Sequence, residues 1–517
     1  MGNKMKILDC TLRDGGYYTN WDFDTELVTE YYKSVEKLPI EYVEIGYRST
    51  PQKEYYGEYF YCPKYVLQKA KQLMPSKKLA IMLNEKDTRI EDLDYLLNDC
   101  VGIIHMVRMA VSPVNIEEAI EIAKEVKIRG FEVAFNVMYM SQWAADQNII
   151  QRFKISNGVV DYFYMVDSFG GVLPNEVEVL TKSLKQNLSS YIGFHGHNNI
   201  ELALANVISA INGGIDIIDS TITGMGRGAG NLKTELLLTF LSSKQDLEVD
   251  FNALTTTVEE FERLQKHYQW GTNLPYMVSG VNSLPQKDVM EWITQRFYSI
   301  NSIVRTLHNL KENKIDNLKL PVFNVNKSEN FKIALIIGGG PSAYKHSNAI
   351  KLFIDQNKKN ICIVHSSSKN AKPYLECDVP QFFCLVGNEG YRMEKVFENY
   401  NKQHTKCILP SYPRKMGTYV PKQVLDVTYE LDDVTFSDKF KDSHFALSLQ
   451  TVIDLSVEQV YIVGFDGYKH PIGEKEKGLI NENNYLINSF TKSYKKIKTI
   501  TDTEYIGFEK MSIFSFI

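Results

Sequence analysis

A chain of 517 residues is too long for one ordinary domain at roughly 150 residues per domain, and with 44% hydrophobic and 23% charged residues it is too apolar to be disordered. Its 58 Lys and Arg against 63 Asp and Glu leave a net charge of −5, which argues against the clustered positive surface that nucleic acid or an anionic membrane would select. The seven Cys are scattered and never paired as CxxC, so no disulfide framework or zinc knuckle is indicated. No apolar run approaches the roughly 18 residues of a membrane span. The expectation is a cytoplasmic protein that acts on small molecules, without nucleic-acid partners and with a homodimer open to it.

Short β-branched runs recur along the first 240 residues, with room for a helix between them, which is the pattern of repeated βα units. In chain order they are Lys6 to Cys10, Glu41 to Gly46, Lys78 to Asn84, Gly102 to Ala110, Phe131 to Met138, Val160 to Asp167, Tyr191 to His197 and Ile215 to Gly224. Eight such runs suit a closed TIM (β/α)8 barrel. Between them lie amphipathic stretches such as NIEEAIEIAKEVKIRG, with Glu117 and Glu118 at the start and Gly130 at the end.

In such barrels the chemistry sits at the C-terminal strand ends, and polar residues gather there: Asp9, Arg13 and Asp14, then Glu44 and Arg48, Asn84, Arg108, Asn136, Asp167, His195 with His197, and Asn231. His195 and His197 are two apart on a strand, so both rings share one face and can chelate one ion. The alternative is a pair of buried histidines satisfied by backbone groups. With Asp14 they form a two-histidine, one-carboxylate set that leaves positions open to substrate oxygens. Asn231 is either a further ligand or the N-cap of a helix after its glycine-rich turn.

The segments DCTLRDGG (Asp9 to Gly16), EIGYR (Glu44 to Arg48), VDSFGGVLP (Val166 to Pro174), HGHNN (His195 to Asn199) and GMGRGAGN (Gly224 to Asn231) resemble the DRE-TIM metallolyases. HGHNN is most similar to the 4-hydroxy-2-oxoacid aldolase branch of that family. The resemblance implies Mn²⁺ or Mg²⁺ held by Asp14, His195, His197 and Asn231, and Arg13 as the cation beside a developing enolate. The strand-end residues Glu44, Arg48, Asn84, Arg108, Asn136 and Asp167, with Ser168, are expected to form one substrate pocket, and the resemblance implies Tyr276 at its acceptor side. Where the aldolases carry a histidine base this chain has Tyr17, whose ordinary pKa of about 10 makes it a poor base at neutral pH. An Arg13 that serves only to pair with Glu44 is the structural alternative.

The segment 251–313 reads as a helical extension of a barrel domain at 1–250, and 314–332, polar and rich in Asn and Lys, as a linker. A second, doubly wound α/β (Rossmann-like) domain is expected over 333–517. Its strand–glycine turn–helix at Gly338, Gly339, Gly340, Pro341 and Ser342, with Asp466 nearby, is an arrangement that can present backbone N–H groups to a phosphate. GGGPS together with GFDGY loosely resembles a superfamily of bacterial sialyltransferases and hydroxymethylpterin pyrophosphokinase-like proteins, which implies a nucleotide or nucleotide-sugar partner. His444 and His470 are candidate bases there, or packed and surface histidines.

The functional expectation is a divalent-metal-dependent aldolase joining or releasing pyruvate and an aldehyde, the aldehyde sugar- or nucleotide-linked in surface-glycan sugar synthesis. Two alternatives stand beside it: an acyl-CoA-dependent 2-oxo acid synthase, and an inactive barrel that scaffolds a glycosyltransferase-like C-terminal half.

Overall fold

The computed structural model describes residues 5–294, 299–314, 319–324, 331–397, 404–414, 418–469, 474–494 and 497–517. It divides into two compact units, Met1–Val289 and Met290–Ile517.

The first unit is a closed barrel of eight parallel strands: β1 Lys6–Asp9, β2 Tyr42–Tyr47, β3 Lys78–Asn84, β4 Ile104–Val111, β5 Glu132–Val137, β6 Tyr162–Asp167, β7 Tyr191–Gly196 and β8 Ile217–Ser220. All eight sequence-predicted runs become strands, five of them one or two residues shorter and β8 six residues shorter. β8 pairs back onto β1, with Leu8 opposite Asp219, and closes the ring. Side chains alternate along each strand. Leu8, Tyr42, Ala80, Met106, Ala134, Tyr164 and Ile217 pack inside the barrel, while their neighbours Ile7, Val43, Leu79, Val107, Val133, Phe163 and Ile218 pack under the surrounding helices.

The helices follow local chemistry. In Thr25–Lys37 the Asp24 carboxylate accepts the amides of Glu26 and Leu27, and Val28, Tyr31, Tyr32 and Val35 form one buried stripe. The DCTLRDGG segment leaves β1 and opens the helix Thr11–Thr19, so Arg13 and Asp14 lie in its first turn. Gly46 is forced by space: a β-carbon there would sit 2.0 Å from the Tyr59 carbonyl oxygen. Gly46→Ala is expected to cost roughly 1–3 kcal/mol, as overpacking against backbone does, seen as a lower urea midpoint of the barrel transition.

The helical stretch expected over 251–313 does not act as one body. Phe251–Tyr268 belongs to the barrel unit, where Phe261 meets Tyr31 at 5.7 Å. Ile300–Lys311 belongs to the second, where Arg305 donates to Asn388 Oδ1 at 2.8 Å and to the Gly387 carbonyl at 2.7 Å. The unit boundary thus falls at 289/290 rather than at 313. Part of the expected linker is also structured: the Phe323 amide donates to the Glu430 carbonyl at 2.8 Å and the Leu320 amide to the Glu430 carboxylate at 3.0 Å. Residues 315–318 and 325–330 of it lie outside the described residues.

The second unit holds a parallel sheet of eight strands: β9 Ile333–Ile337, β10 Ile361–His365, β11 Gln381–Cys384, β12 Thr405–Leu409, β13 Thr428–Glu430, β14 Gln459–Val463, β15 Ile497–Thr499 and β16 Glu509–Lys510. The order is β13-β12-β11-β10-β9-β14-β15-β16. The chain therefore winds outward from β9 to β13, returns to lie beside β9 as β14, and continues to the other edge. Both faces of the central strands are covered by apolar cores, which explains continuous runs such as IALII and ICIVH. The short strands β13, β15 and β16 gave no periodic signal, having only two or three residues each.

Candidate active site

Inward-facing positions at the upper end of the barrel converge on one buried polar network. Arg108 from β4 is its hub: Nη1 donates to Glu44 Oε2 at 3.0 Å, Nη2 to Asp219 Oδ2 at 2.5 Å and Nε to Asn136 Oδ1 at 3.1 Å, with the guanidinium 4.4 Å from the Tyr164 ring centroid. Arg13 adds a second cation, donating from Nε to Glu44 Oε2 at 2.8 Å and from Nη1 to Asp14 Oδ1. All of these ionic groups are buried. Arg13 thus does pair with Glu44, and it holds Asp14 as well.

The proposed metal ligands come together here. The His195 ring bridges two carboxylates, with Nδ1 2.8 Å from Asp219 Oδ2 and Nε2 3.3 Å from Asp14 Oδ2. His197 donates from Nδ1 to the Asp167 carbonyl at 2.8 Å, which leaves Nε2 as its lone-pair nitrogen. The two imidazole centroids are 5.1 Å apart. Asn231 donates to Asp14 Oδ2 at 2.7 Å. It does not cap a helix, since the following one, Thr234–Gln245, has Lys233 at its N-cap.

Charge states follow from these contacts. Burial opposes ionisation of Asp14, but Arg13 and His195 outweigh it and hold the carboxyl well below the usual range. Burial, with His195 adding to it, pushes His197 down to about 3, so its ring is neutral. Burial likewise disfavours a charged His195, yet its hydrogen bonds to Asp14 and Asp219 raise it.

Does this set suit a divalent ion? Asp14 supplies an anionic oxygen and His197 a free nitrogen, and both histidines are oriented through Nδ1 by an acceptor behind them. Among the described residues, Asn231 Oδ1 is buried with no hydrogen-bond partner, an orphaned acceptor in the same cluster. These residues fit. Among the described residues the grouping whose ligand atoms all lie within 4.8 Å of one another is a different one, Cys10, His195 and Asp219. It is the poorer donor set. Burial, and the neighbouring Asp14, push the Cys10 thiol well up, and Asp219 is already engaged by Arg108 and His195.

Several residues assigned to the substrate pocket do other work. Arg48 spends its guanidinium on the backbone carbonyls of Leu96, Tyr61, Cys62 and Tyr95, pinning loops around the barrel. Asn84 turns to Asp87 at 2.6 Å. Asp167 has the outward parity of β6; its carboxylate accepts the amides of Gly170, Gly171 and Val172, and burial pushes it up to about 6. Its contribution to the site is the carbonyl that orients His197. Ser168 accepts the Tyr139 amide at 2.8 Å. Asp9, also of outward parity, accepts from Tyr31 and Thr234.

Tyr17 lies with its hydroxyl 3.3 Å from that of Tyr47 and its ring 4.7 Å under the Arg227 guanidinium. Tyr276 is buried, which pushes it up to about 12, and is hydrogen-bonded to Tyr18, whose hydroxyl donates to the Gly228 carbonyl at 2.9 Å. It braces the glycine loop. Sequence reasoning missed Asp219, Arg227 and Tyr47. Asp219 carried a signal, because it shares the inward parity of Ile217 on β8.

In the second unit Gly338, Gly339, Gly340, Pro341 and Asp466 line a cavity of about 430 Å³ at the ends of β9 and β14, where the winding reverses. Ser342 stands behind it, its amide donating to Asp466 Oδ2 at 3.0 Å and its hydroxyl to Thr501. Lys369, Arg392, Glu389 and His444 also line this cavity. His470 lies outside the described residues.

Against known proteins, the HMGL-like family model matches residues 104–262. A 4-hydroxy-2-oxovalerate aldolase of Geobacillus thermodenitrificans is 30% identical over 238 residues, 46% of this chain and 68% of the relative. An oxaloacetate decarboxylase of Mycobacterium tuberculosis is 26% identical over 312 residues, 58% of this chain and 89% of the relative. The crystal structure of the N-terminal domain of a Bacteroides vulgatus protein, for which an aldolase activity has been suggested, is 54% identical with a TM-score of 0.56, over 58% of this chain and 99% of that one. An eight-stranded barrel with Arg13, Asp14, His195 and His197 on one buried cluster, matched over most of such an aldolase's length, places this chain in the HMGL-like family.

Proposed function

We propose that the barrel unit is a divalent-metal-dependent aldolase that makes or breaks a carbon–carbon bond between pyruvate and an aldehyde. The observation that carries this reading is the buried set of Asp14, His195, His197 and the orphaned Asn231 Oδ1, with Arg13 fixed beside it. A divalent ion such as Mn²⁺ or Mg²⁺, held by these four residues, supplies Lewis-acid polarisation of the 2-oxo acid's oxygens.

The chain's own residues do the rest. Arg13 is a cation with two of its nitrogens anchored on Asp14 and Glu44, so it stabilises negative charge developing on the enolate oxygen without having to reorient. Arg108, Glu44 and Asp219 hold Arg13 and His195 in place from beneath. Burial keeps bulk water from competing for these groups. In this reading Tyr17, whose hydroxyl lies 3.3 Å from that of Tyr47, is the group assigned to exchange a proton with the aldol hydroxyl.

The test is turnover of pyruvate with a panel of aldehydes, with and without Mn²⁺ or Mg²⁺. Exhaustive chelation is expected to abolish product and re-addition of the ion to restore it. Turnover unchanged by chelation overturns the reading, and release of CoA thiol from acetyl-CoA with a 2-oxo acid would assign the synthase chemistry instead.

For the second unit we propose a nucleotide ligand, supported by the cavity of about 430 Å³ at the point of winding reversal, a size and place typical of small-molecule sites in parallel sheets. Lys369 and Arg392 supply positive charge and Phe445, Phe465 and Tyr505 apolar faces. The Ser342 amide is already bonded to Asp466, so a phosphate would rest on those two cations rather than on the glycine turn. Calorimetric titration with nucleoside mono- and diphosphates tests it.

A further inference from the structure

One cation at the barrel mouth is not used by the reaction above. Arg13 and Arg108 are spent on carboxylates and Arg48 on backbone carbonyls. Arg227 is different. It sits in the glycine loop after β8, partly buried, with its guanidinium over the Tyr17 ring. Among the described residues no carboxylate lies within ion-pair distance of it and no acceptor takes its N–H groups.

Its position is fixed by the loop, not by a partner. Gly224, Gly228 and Gly230 hold φ at +68°, +67° and +80°, conformations that L side chains rarely adopt. A β-carbon at Gly226 would fall 2.5 Å from Asn231 Nδ2, and one at Gly228 would fall 2.0 Å from Gln286 Oε1. Tyr18 ties down the Gly228 carbonyl. A loop packed this tightly between Asn231 and Tyr276 leaves the Arg227 side chain pre-set beside Tyr17, and a guanidinium with five unspent donors is matched to a planar or tetrahedral oxyanion.

A second feature marks the same place. Tyr139, an electrostatic neighbour of Arg227, is held at φ +63°, strain that the hydrogen bond from its backbone N–H to the Ser168 hydroxyl helps to maintain. The cation thus lies over the Tyr17 ring, whose hydroxyl meets that of Tyr47, and the nearby Asp14 carboxylate is bonded to Arg13 and Asn231.

We propose that Arg227 is the specificity-determining residue for the aldehyde, recognising a carboxylate or phosphate on it, so that the partner of pyruvate is an anionic aldehyde. This rests on the aldolase reading. It follows from the division of labour in that reading: Arg13 and the Asp14–histidine set take the 2-oxo acid, while Arg227 stands over Tyr17, the residue assigned to the aldol hydroxyl.

The experiment compares the wild type with Arg227→Met and Arg227→Lys on size-matched neutral, carboxylate-bearing and phosphate-bearing aldehydes. The quantity read is the ratio of kcat/KM for the anionic over the neutral aldehyde, within one preparation, so that any general loss of folded enzyme cancels. A charged hydrogen bond is worth about 1.5–3 kcal/mol, so Arg227→Met should lower this ratio roughly ten- to a hundredfold, with Arg227→Lys in between. The carboxylate and phosphate arms show which anion is meant. An equal fall for all aldehydes, a rise confined to the KM of pyruvate, or a wild type that prefers neutral aldehydes overturns the proposal. Metal-dependent exchange of the pyruvate methyl protons for deuterium, measured on the wild type without aldehyde, reports the aldolase reading separately: its absence defeats that reading, whereas exchange with no anion preference defeats only the role of Arg227.

Discussion

His197→Ala is expected to release the divalent ion and to lower aldol turnover by about three orders of magnitude, because Lewis-acid stabilisation amounts to several kcal/mol and each 1.4 kcal/mol is a factor of ten. Of the two histidines this one gives the cleaner experiment. His197 is tied to the rest of the site by one hydrogen bond, to the Asp167 carbonyl, so its removal leaves the charged network beneath intact. His195 also contacts Asp219 and Asp14, and its loss would disturb the carboxylates that balance Arg108 and Arg13. Metal content by elemental mass spectrometry and kcat on the same sample check the expectation. Full metal occupancy with full activity would remove His197 from the site.

Arg108→Leu is expected to destabilise the barrel by about 3–5 kcal/mol, since taking one partner from a buried ionic network leaves the others without compensation. Arg108 has no exposed surface and bonds Glu44, Asp219 and Asn136 from three different strands. Without it Glu44 keeps only Arg13 and Asp219 only His195, while Glu44 Oε1 and Asp219 Oδ1 already lack partners among the described residues. Arg108→Lys should recover only part of the loss, because an ammonium cannot reach three acceptors in the fixed geometry of a guanidinium. A chain of two compact units need not unfold in one step. The shift is therefore read on the transition that Gly46→Ala also moves, with the other as an internal reference. An unchanged midpoint would mean that the buried cluster contributes nothing to barrel stability.

The contrast between Asp167 and Asp219 shows what could be read in advance. Both are strand-end aspartates, and strand ends alone singled out Asp167. Parity separates them: Asp219 is inward with Ile217, and Asp167 outward, where three loop amides claim its carboxylate. Arg48 follows the same lesson. A conspicuous arginine at the end of β2 is drawn off by carbonyls of Tyr61, Cys62, Tyr95 and Leu96, groups that carry no mark in a sequence because every residue has one.

The recurring apolar runs located by themselves the eight barrel strands, and the two-residue spacing of His195 and His197 gave them a shared face, because apolar patterning and side-chain parity are properties of neighbouring residues. The mild acidity likewise pointed to small-molecule chemistry, and the scattered cysteines away from a disulfide framework, without help from coordinates. Only the tertiary structure decided which charges meet. It joined Asp14 to Asn231 across 217 positions and Arg108 to Asp219 across 111, assigned Ile300–Lys311 to the second unit, and left Arg227 with its donors unspent among the described residues. Hydrogen bonds and ion pairs act over a few ångströms, so their partners are set by closure of the barrel and the path of its loops, and no spacing along the chain reveals them.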